Sequence, residues 1–286
     1  MSGASPAGGD PSGGRRGAAA RRLRAFGRLG RAAVVALRGL LTVVVRFPKL
    51  DDAGRMREVQ RWSRQMLAAF GVGLVVEGGP YDGARLVAAN HVSWLDILAL
   101  DAVRPARFVA KAEIRRWPVL GLLVGAGGTL YLTREHRRDA LRVVHAMAAA
   151  LAAGDVLAVF PEGTTGDGRA LLPFHANLLQ AAIATGTPVQ PVALRYADAR
   201  HAVSPAVEFV GATTLWQTLW NVAVADGLEV HVVLLAPERS AGRGRRELAQ
   251  ALHRAIGAAL DDGLAAGPGV AVPTPARAAV AGLSGG

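Results

Sequence analysis

The stretch from Val87 to Leu100 reads VAANHVSWLDILAL, and it decides the fold. An apolar run that starts at Leu86 stops at the polar pair Asn90-His91. A longer apolar run follows and contains one acidic residue, Asp96. This order predicts a buried strand, a turn that carries an imidazole, and a helix.

The spacing of His91 and Asp96 leaves two interpretations open. On a straight helix the two residues would lie about 140° apart, so they meet only if His91 lies in the turn and folds back over the helix start. Asp96 would then accept the Nδ1–H of His91 and leave Nε2 as a general base. Alternatively, Ser93 and Asp96 form a capping box for a helix that begins near Trp94, and His91 is an ordinary turn residue.

Three later stretches add to this pattern. They read GTLYLTR at residues 128–134, FPEGTT at residues 160–165 and PVQPVAL at residues 188–194. Together with the N-H-x-x-x-x-D of the first stretch, they resemble in order the four motifs of the glycerolipid acyltransferases, the 1-acylglycerol-3-phosphate acyltransferase family. The resemblance covers about residues 85 to 195.

The resemblance implies an acyl-transfer reaction and a role for two catalytic residues. His91 would deprotonate the free hydroxyl of 1-acylglycerol 3-phosphate, and that hydroxyl would attack the thioester of acyl-CoA or acyl-carrier protein. Asp96 would orient His91 and stabilise its imidazolium. The product would be phosphatidic acid in phospholipid biosynthesis. Neither a cofactor nor a metal ion is expected, since the acyl donor is itself a substrate.

The resemblance also implies a binding site for the acceptor phosphate, which we expect Lys111, Arg134, Gly163 and Thr164 to form. An arginine suits this task because its guanidinium is always charged and offers paired donors. A glycine lets backbone N–H groups approach an anion. We expect Glu162 to orient Arg134 or to hydrogen-bond a glycerol hydroxyl. Alone, however, Arg134 would be interpreted as a solvated arginine.

The chain departs from the family pattern at two places, and these affect the expected acceptor. Thr165 stands where relatives often have arginine, and His175 with its two successors stands where lysine and glycine are common. One cationic contact to the phosphate is therefore missing. A second acceptor, lyso-ornithine lipid, is the first alternative, and a non-catalytic membrane lipid-binding protein is the second. The lipid-binding alternative leaves the pairing of His91 and Asp96 with FPEGT unexplained.

Composition places most of the positive charge in an N-terminal arm. The net charge is +11, and residues 1–50 hold ten Arg or Lys against one acid, leaving +2 for the rest. Such an arm suits an anionic membrane surface or nucleic acid. Interleaved aromatic residues, expected for binding single-stranded nucleic acid, are absent from it, so we expect no nucleic-acid partner. The absence of cysteine excludes disulfides and thiol chemistry.

The pattern along the chain predicts an α/β fold with a single mixed β-sheet flanked by helices and an amphipathic, membrane-associating N-terminal segment. Residues 1–20 are expected to be a disordered basic tail, residues 21–70 the membrane-associating helices, residues 71–263 the acyltransferase domain, and residues 264–286 a disordered tail. The apolar run at 32–45 is short of the roughly 20 residues needed to span a bilayer.

The membrane prediction depends on five arginines that share a sector of about 100° at helical spacing, namely Arg21, Arg24, Arg28, Arg31 and Arg38. The alternative is a helix that packs on the domain and leaves a solvated basic face. The expected location is the cytoplasmic face of the inner (plasma) membrane, with membrane lipids, a lysophospholipid acceptor and the acyl donor as partners.

Overall fold

The computed structural model describes residues 11–82, 85–116, 120–132, 137–265 and 267. They contain a seven-stranded sheet in the order β1-β7-β6-β2-β5-β3-β4. The strands are β1 (Gly73–Gly78), β2 (Arg85–Ala89), β3 (Arg107–Lys111), β4 (Leu130–Leu132), β5 (Val156–Val159), β6 (Val189–Ala197) and β7 (Glu229–Leu234). Neighbouring strands pair in parallel, except that β6 and β7 are antiparallel. The prediction of one mixed sheet is therefore confirmed.

Helices cover both faces of this sheet. The α-helices of the described residues are α1 (Pro11–Val45), α2 (Asp52–Phe70), α3 (Leu95–Val103), α4 (Leu120–Ala126), α5 (Arg137–Ala152), α6 (Gln180–Thr185), α7 (Leu215–Val224) and α8 (Arg245–Ala265). Short 3₁₀ helices occupy Phe47–Lys49, Ala112–Arg116, Ala176–Leu179 and Pro205–Val207.

The central strand β2 shows how the two cores arise. All five of its residues are buried, which is the pattern of a parallel strand covered on both faces. Because side chains alternate along a strand, Val87 and Ala89 point into a core shared with α2, α3 and α7. Leu86 and Ala88 point into a second core shared with α5, α6 and α8. The first core contains the site described below.

The first helix begins earlier than predicted. Helix α1 starts at Pro11, so residues 11–20, expected to be disordered, are helical in the structure. Residues 1–10 and 268–286 of the two expected tails lie outside the described residues, and α8 continues to Ala265. Helix α1 packs on the domain, since Ala25 and Ala32 belong to the first core. No helix in the described part of the chain is long and apolar enough to cross a bilayer.

One arginine of the predicted basic sector faces the protein. The guanidinium of Arg28 is buried and donates to the carbonyl oxygens of Ala223 and Ala225 at the end of α7. It therefore cannot contribute to a solvated or lipid-facing basic surface. Helix α1 packs on the domain and exposes Arg31 and Arg38, as the alternative interpretation predicted, and contact with a membrane stays a prediction.

Strand β6 lies in the interior of the sheet, although a proline within a strand is typical of an edge or a bulge because it lacks the N–H donor. Pro191 pairs with Ala88 of β2, and its carbonyl accepts the N–H of Leu235 at 3.0 Å. In an antiparallel pair the N–H and C=O of one residue point to the same side, so the missing N–H faces β7. The β6–β7 register ends at Val192 and Leu234, one residue away. The lost donor thus falls where the ladder stops, and an interior strand tolerates the proline.

Candidate active site

The site lies where neighbouring parallel strands end. His91 follows β2, Phe160 follows β5, and Lys111 is the last residue of β3. These strands are adjacent in the order β2-β5-β3, so their carboxyl ends share one edge of the sheet. Ligands of open α/β sheets bind in the crevice at such an edge.

His91 and Asp96 meet as the first interpretation predicted. The Nδ1 of His91 lies 2.7 Å from the Oδ2 of Asp96, and the carboxylate is fully buried while a fifth of the imidazole is exposed. The same Oδ2 accepts the N–H groups of Val92 at 2.6 Å and Ser93 at 2.9 Å. The buried carboxylate thus selects the tautomer with a proton on Nδ1, and Nε2 points away with its lone pair available.

The capping-box interpretation is only half right. Asp96 does accept backbone N–H groups ahead of α3. Trp94 is the N-cap residue and makes no capping hydrogen bond through its side chain, and the hydroxyl of Ser93 has no hydrogen-bond partner among the described residues. Capping and imidazole orientation are therefore two functions of one carboxylate.

Phe160 stacks on the imidazole ring of His91. The rings of His91 and Phe160 are stacked, with centroids 4.0 Å apart and an angle of 11° between their planes. Phe108 stacks in turn on Phe160, with centroids 5.9 Å apart. The phenylalanine was part of the FPEGT stretch, but its contact with His91 has no signal in the sequence.

Asn90 holds the end of β2 against β6. Its Nδ2 donates to the carbonyl of Leu194 at 2.9 Å, and its Oδ1 accepts the N–H of the same residue at 2.7 Å. This pair of bonds imitates a strand pairing one residue beyond the last β2–β6 pair, Ala89 with Val192. The turn that carries His91 is consequently anchored on its strand side.

Glu162 holds the other side of the turn. The carboxylate is buried, its Oε1 accepts the N–H of His91 at 2.7 Å, and its Oε2 accepts the N–H of Leu172 at 2.9 Å. Burial raises the pKa of Glu162, and the two backbone hydrogen bonds oppose that rise. A buried carboxylate engaged at both oxygens positions the His91 turn. Its expected contact with a glycerol hydroxyl or with Arg134 stays a prediction, since Arg134 lies outside the described residues.

The loop after Glu162 places the remaining motif residues beside His91. Gly163 has a φ of 71°, a left-handed conformation that favours glycine, and its N–H closes a turn on the carbonyl of Phe160 at 3.0 Å. Thr164 is exposed. The N–H of Gly166 donates to the carbonyl of His91 at 2.8 Å.

Thr165, which stands where many relatives have arginine, makes a contact within the protein. Its hydroxyl donates to the carbonyl of Phe209 and ties the loop to the segment before α7. This position therefore supplies a structural contact in place of a cation.

The two expected cationic ligands are described only in part. The backbone of Lys111 pairs with Leu132 of β4, which puts this lysine at the same sheet edge as His91. Arg134 lies outside the described residues, two positions beyond β4. Their contact with a phosphate stays a prediction, as does that of Gly163 and Thr164. Within the described ranges there is no group of three His, Asp or Glu side chains that could hold a metal ion.

Tyr196 is the site residue that sequence reasoning missed. It lies on β6, fully buried, and its hydroxyl donates to the Oδ1 of Asp96 at 2.7 Å. It follows the PVQPVAL stretch by two positions, which was the one available hint.

A histidine that a buried carboxylate orients, at the carboxyl edge of an α/β sheet, is an arrangement suited to general-base chemistry. Comparison with known proteins defines the family. A family model described as Acyltransferase matches residues 75–195. The 1-acyl-sn-glycerol-3-phosphate acyltransferase of Neisseria meningitidis serogroup B is 42% identical over 183 residues, which cover 62% of this chain and 70% of that protein. The lyso-ornithine lipid O-acyltransferase of Pseudomonas aeruginosa is 37% identical over 253 residues, 88% of this chain and 92% of the other.

A solved structure agrees on the fold. The crystal structure of the 1-acyl-sn-glycerophosphate acyltransferase of Thermotoga maritima superposes with a TM-score of 0.60 at 20% identity, over 82% of this chain and 96% of that one. The chain belongs to the glycerolipid acyltransferase family, and it is an acyltransferase.

Proposed function

We propose that this enzyme transfers a fatty acyl group to the free hydroxyl of 1-acylglycerol 3-phosphate and forms phosphatidic acid. The observation that carries the proposal is the 2.7 Å contact of His91 with the buried Asp96. The acceptor hydroxyl gives its proton to Nε2 as its oxygen attacks the thioester carbonyl carbon. The C–S bond then breaks, the ester forms, and the proton on Nε2 passes to the departing thiolate.

Asp96 and Phe160 adapt His91 to this cycle. During the transfer the imidazole becomes a cation, and the buried carboxylate beside it stabilises that charge. The stacked face of Phe160 fixes the plane of the ring, so Nε2 keeps one direction throughout. A positioned general base contributes about 10² to 10⁴ in rate.

The acceptor phosphate is assigned to the same sheet edge. The proposed ligands are Lys111 at the end of β3, Arg134 beyond β4, and Gly163 with Thr164 in the loop after β5. The relative from Neisseria, named for this acceptor, supports the assignment. The donor is acyl-CoA or acyl-carrier protein.

Lyso-ornithine lipid is the second candidate acceptor, and two observations favour it. The Pseudomonas relative named for that acceptor matches 88% of this chain. In addition, the hydroxyl of Thr165 donates to the carbonyl of Phe209, at a position where many relatives have an arginine. An acceptor without a phosphate monoester needs fewer cationic contacts.

Purified enzyme in mixed micelles tests both candidates. Each acceptor is offered in turn with one radiolabelled acyl-CoA and then with the same acyl group on acyl-carrier protein. We expect labelled phosphatidic acid to dominate. A clear preference for lyso-ornithine lipid would replace the first acceptor with the second, and no transfer to any lysolipid would overturn the proposed function.

We also propose that α1 holds the enzyme on the cytoplasmic face of the inner membrane. Its inner face carries small residues, Ala25, Ala32 and Gly39, all buried. Its outer face carries an apolar stripe within about 100° of arc. The residues of this stripe, the α1 stripe, are Leu23, Phe26, Val34, Leu37, Leu41, Val44 and Val45, all exposed.

Two further features suit a lipid surface. Exposed Arg31 and Arg38 flank the α1 stripe and would meet anionic headgroups. Phe26 of the stripe packs edge-to-face on Trp220 of α7, with centroids 5.3 Å apart, and the preceding turn of α7 exposes Trp216. Tryptophan is enriched at membrane interfaces. The helix is thus suited to lie in the interface with its large side chains in the acyl region.

A further inference from the structure

The Asp96 carboxylate is held at both oxygens by donors from different parts of the chain. Oδ2 accepts the imidazole Nδ1–H of His91 and two backbone N–H groups of the same turn. Oδ1 accepts one hydrogen bond, and its donor is the hydroxyl of Tyr196 at 2.7 Å. The side chains of Asp96 and Tyr196 are both buried, so water does not readily replace the hydroxyl or the carboxylate in this hydrogen bond.

We propose that Tyr196 is a positioning residue for the acyl-transfer reaction, and that its hydroxyl fixes the plane and the charge of Asp96 against His91. The inference rests on the proposed function, in which His91 is the general base.

The fold explains why a strand residue reaches this carboxylate. Asn90, just beyond β2, is bonded to Leu194 of β6. Tyr196 lies two residues further along β6, past the end of β2, and on the same face of the sheet as Leu194. It therefore overhangs the turn and meets the first turn of α3, where Asp96 lies.

The tyrosine is a permanent donor. Burial, and then the charge of Asp96, raise the pKa of Tyr196 well above its usual range, so the phenol keeps its proton at every working pH. Its hydrogen bond holds Oδ1 in place, which leaves Oδ2 aligned with Nδ1 of His91. It also withdraws charge from the carboxylate, and this limits how strongly the carboxylate stabilises the imidazolium.

The effect on charge gives a signature that a packing role lacks. Among the side chains that the structure describes, the titratable ones placed against His91 and Asp96 are Tyr196 from β6 and Glu162 from the loop after β5. Removing only the phenol hydroxyl leaves Glu162 and the packing in place. More negative charge then remains on the Asp96 carboxylate beside the imidazole, and this stabilises the protonated form of His91. A higher pH is therefore needed to leave the base unprotonated.

Three variants test the inference. Tyr196→Phe should lower kcat by about 10-fold or more, leave KM for the lysolipid within about twofold, and move the acid limb of the kcat profile to higher pH. Replacement of Tyr196 by 3-fluorotyrosine, a stronger donor of the same shape, should move that limb to lower pH. Tyr81→Phe, at the opposite end of β2, is the matched control and should change neither.

A second measurement separates this inference from the proposed function. The Nδ1 proton of His91, identified in the NMR spectrum by its loss in His91→Asn, should shift in Tyr196→Phe and stay in place in Tyr81→Phe. If the wild type transfers no acyl group to any lysolipid, the proposed function fails, and the Nδ1 resonance still decides whether Tyr196 positions Asp96. Unchanged resonance, or unchanged pH profiles in both Tyr196 variants, would overturn the inference.

Discussion

At the scale of the residue, Asp96 carries the largest number of contacts in the site. It caps the start of α3, orients His91 and accepts the hydroxyl of Tyr196 while fully buried. A buried carboxylate is stable as an anion only when hydrogen bonds replace its hydration. The four donors therefore favour the charged form of Asp96, which the proposed reaction requires beside His91.

Replacing Asp96 or His91 should abolish most turnover. In Asp96→Asn the amide cannot accept the Nδ1–H with the same charge, so the tautomer is no longer fixed. We expect kcat to fall by about 10² to 10⁴ in both Asp96→Asn and His91→Ala. Steady-state acylation kinetics measure the loss, and His145→Ala, an exposed histidine of α5, is the control. Near-normal activity of His91→Ala would contradict the assignment, and loss in His91→Ala alone would leave Asp96 as a helix cap.

Asp101 should make stability depend on pH. Burial raises the pKa of Asp101 to about 8, against the hydrogen bond that its carboxylate accepts from the N–H of Ala106. The unfolded carboxyl loses its proton near pH 4, roughly its reference value. Between these values the folded state binds more protons than the unfolded state, so the free energy of unfolding falls as pH rises.

Asp101→Asn removes this dependence and keeps an acceptor for Ala106. Between about pH 5 and about pH 8 the variant should gain stability over the wild type, by at most about 1.4 kcal/mol for each pH unit. Urea unfolding at several pH values measures the difference. Asp261→Asn, at an exposed position of α8, should track the wild type. Parallel curves for Asp101→Asn and wild type would show that Asp101 is already ionised when folded.

At the scale of the element, α1 reverses the usual distribution of side chains. Its buried face carries alanine and glycine beside Arg28, and its exposed face carries leucine, valine and phenylalanine. The small side chains let α1 approach the domain closely: a Cβ on Gly39 would lie 2.4 Å from the indole Nε1 of Trp62. Deleting the helix would uncover the first core, so point substitutions test its membrane role better.

Substituting the α1 stripe should release the enzyme from membranes. Burying one leucine in an apolar medium contributes roughly 1.5–3 kcal/mol, so Leu37→Ser with Leu41→Ser should weaken binding to anionic vesicles by at least about 10²-fold. Vesicle flotation at low and high salt measures it. Leu141→Ser on α5 is the control, because Leu141 is 60% exposed and Leu37 is 68% exposed. Equal flotation of all variants would argue for Trp216 and its neighbours as the anchor.

At the scale of the whole molecule, the sheet brings distant segments to one edge. Tyr196 and Asp96 are 100 residues apart in sequence, and Glu162 and His91 are 71 apart. The parallel order β6-β2-β5-β3 places their strand ends side by side. The acceptor's head group should therefore be recognised by residues from several strands at once.

Arg134 should distinguish the two candidate acceptors. Arg134→Lys keeps the charge but loses the planar fork, and a lost charge-assisted hydrogen bond costs roughly 1.5–3 kcal/mol, or about 10- to 150-fold in affinity. Kinetics of Arg134→Lys and Arg134→Ala on both acceptors measure it. The loss should appear with 1-acylglycerol 3-phosphate and vanish with lyso-ornithine lipid. An equal loss on both acceptors would make Arg134 structural.

Local sequence determined the elements of the site. The apolar run, the polar pair and the second apolar run predict the strand, turn and helix around His91, because burial on both faces and helical spacing are properties of neighbouring residues. The mixed sheet was likewise predicted from the pattern of strands and helices along the chain. The sequence could not decide whether Asp96 caps a helix or orients His91, since both interpretations need a carboxylate at the same position.

Tertiary structure decided what the local signals left open. A proline such as Pro191 is typical of an edge strand, but β6 lies in the interior of the sheet. The strand tolerates the proline because the missing N–H falls where the β6–β7 ladder ends. The helical spacing of Arg28 predicts that it belongs to a basic surface, yet its guanidinium is buried and donates to the carbonyl of Ala223 in α7. Glu162 lies in the loop after β5 and Tyr196 on β6, and they hydrogen-bond His91 and Asp96 respectively. These contacts have no local signal because a hydrogen bond depends on distance in space, and that distance is set by how the strands are ordered.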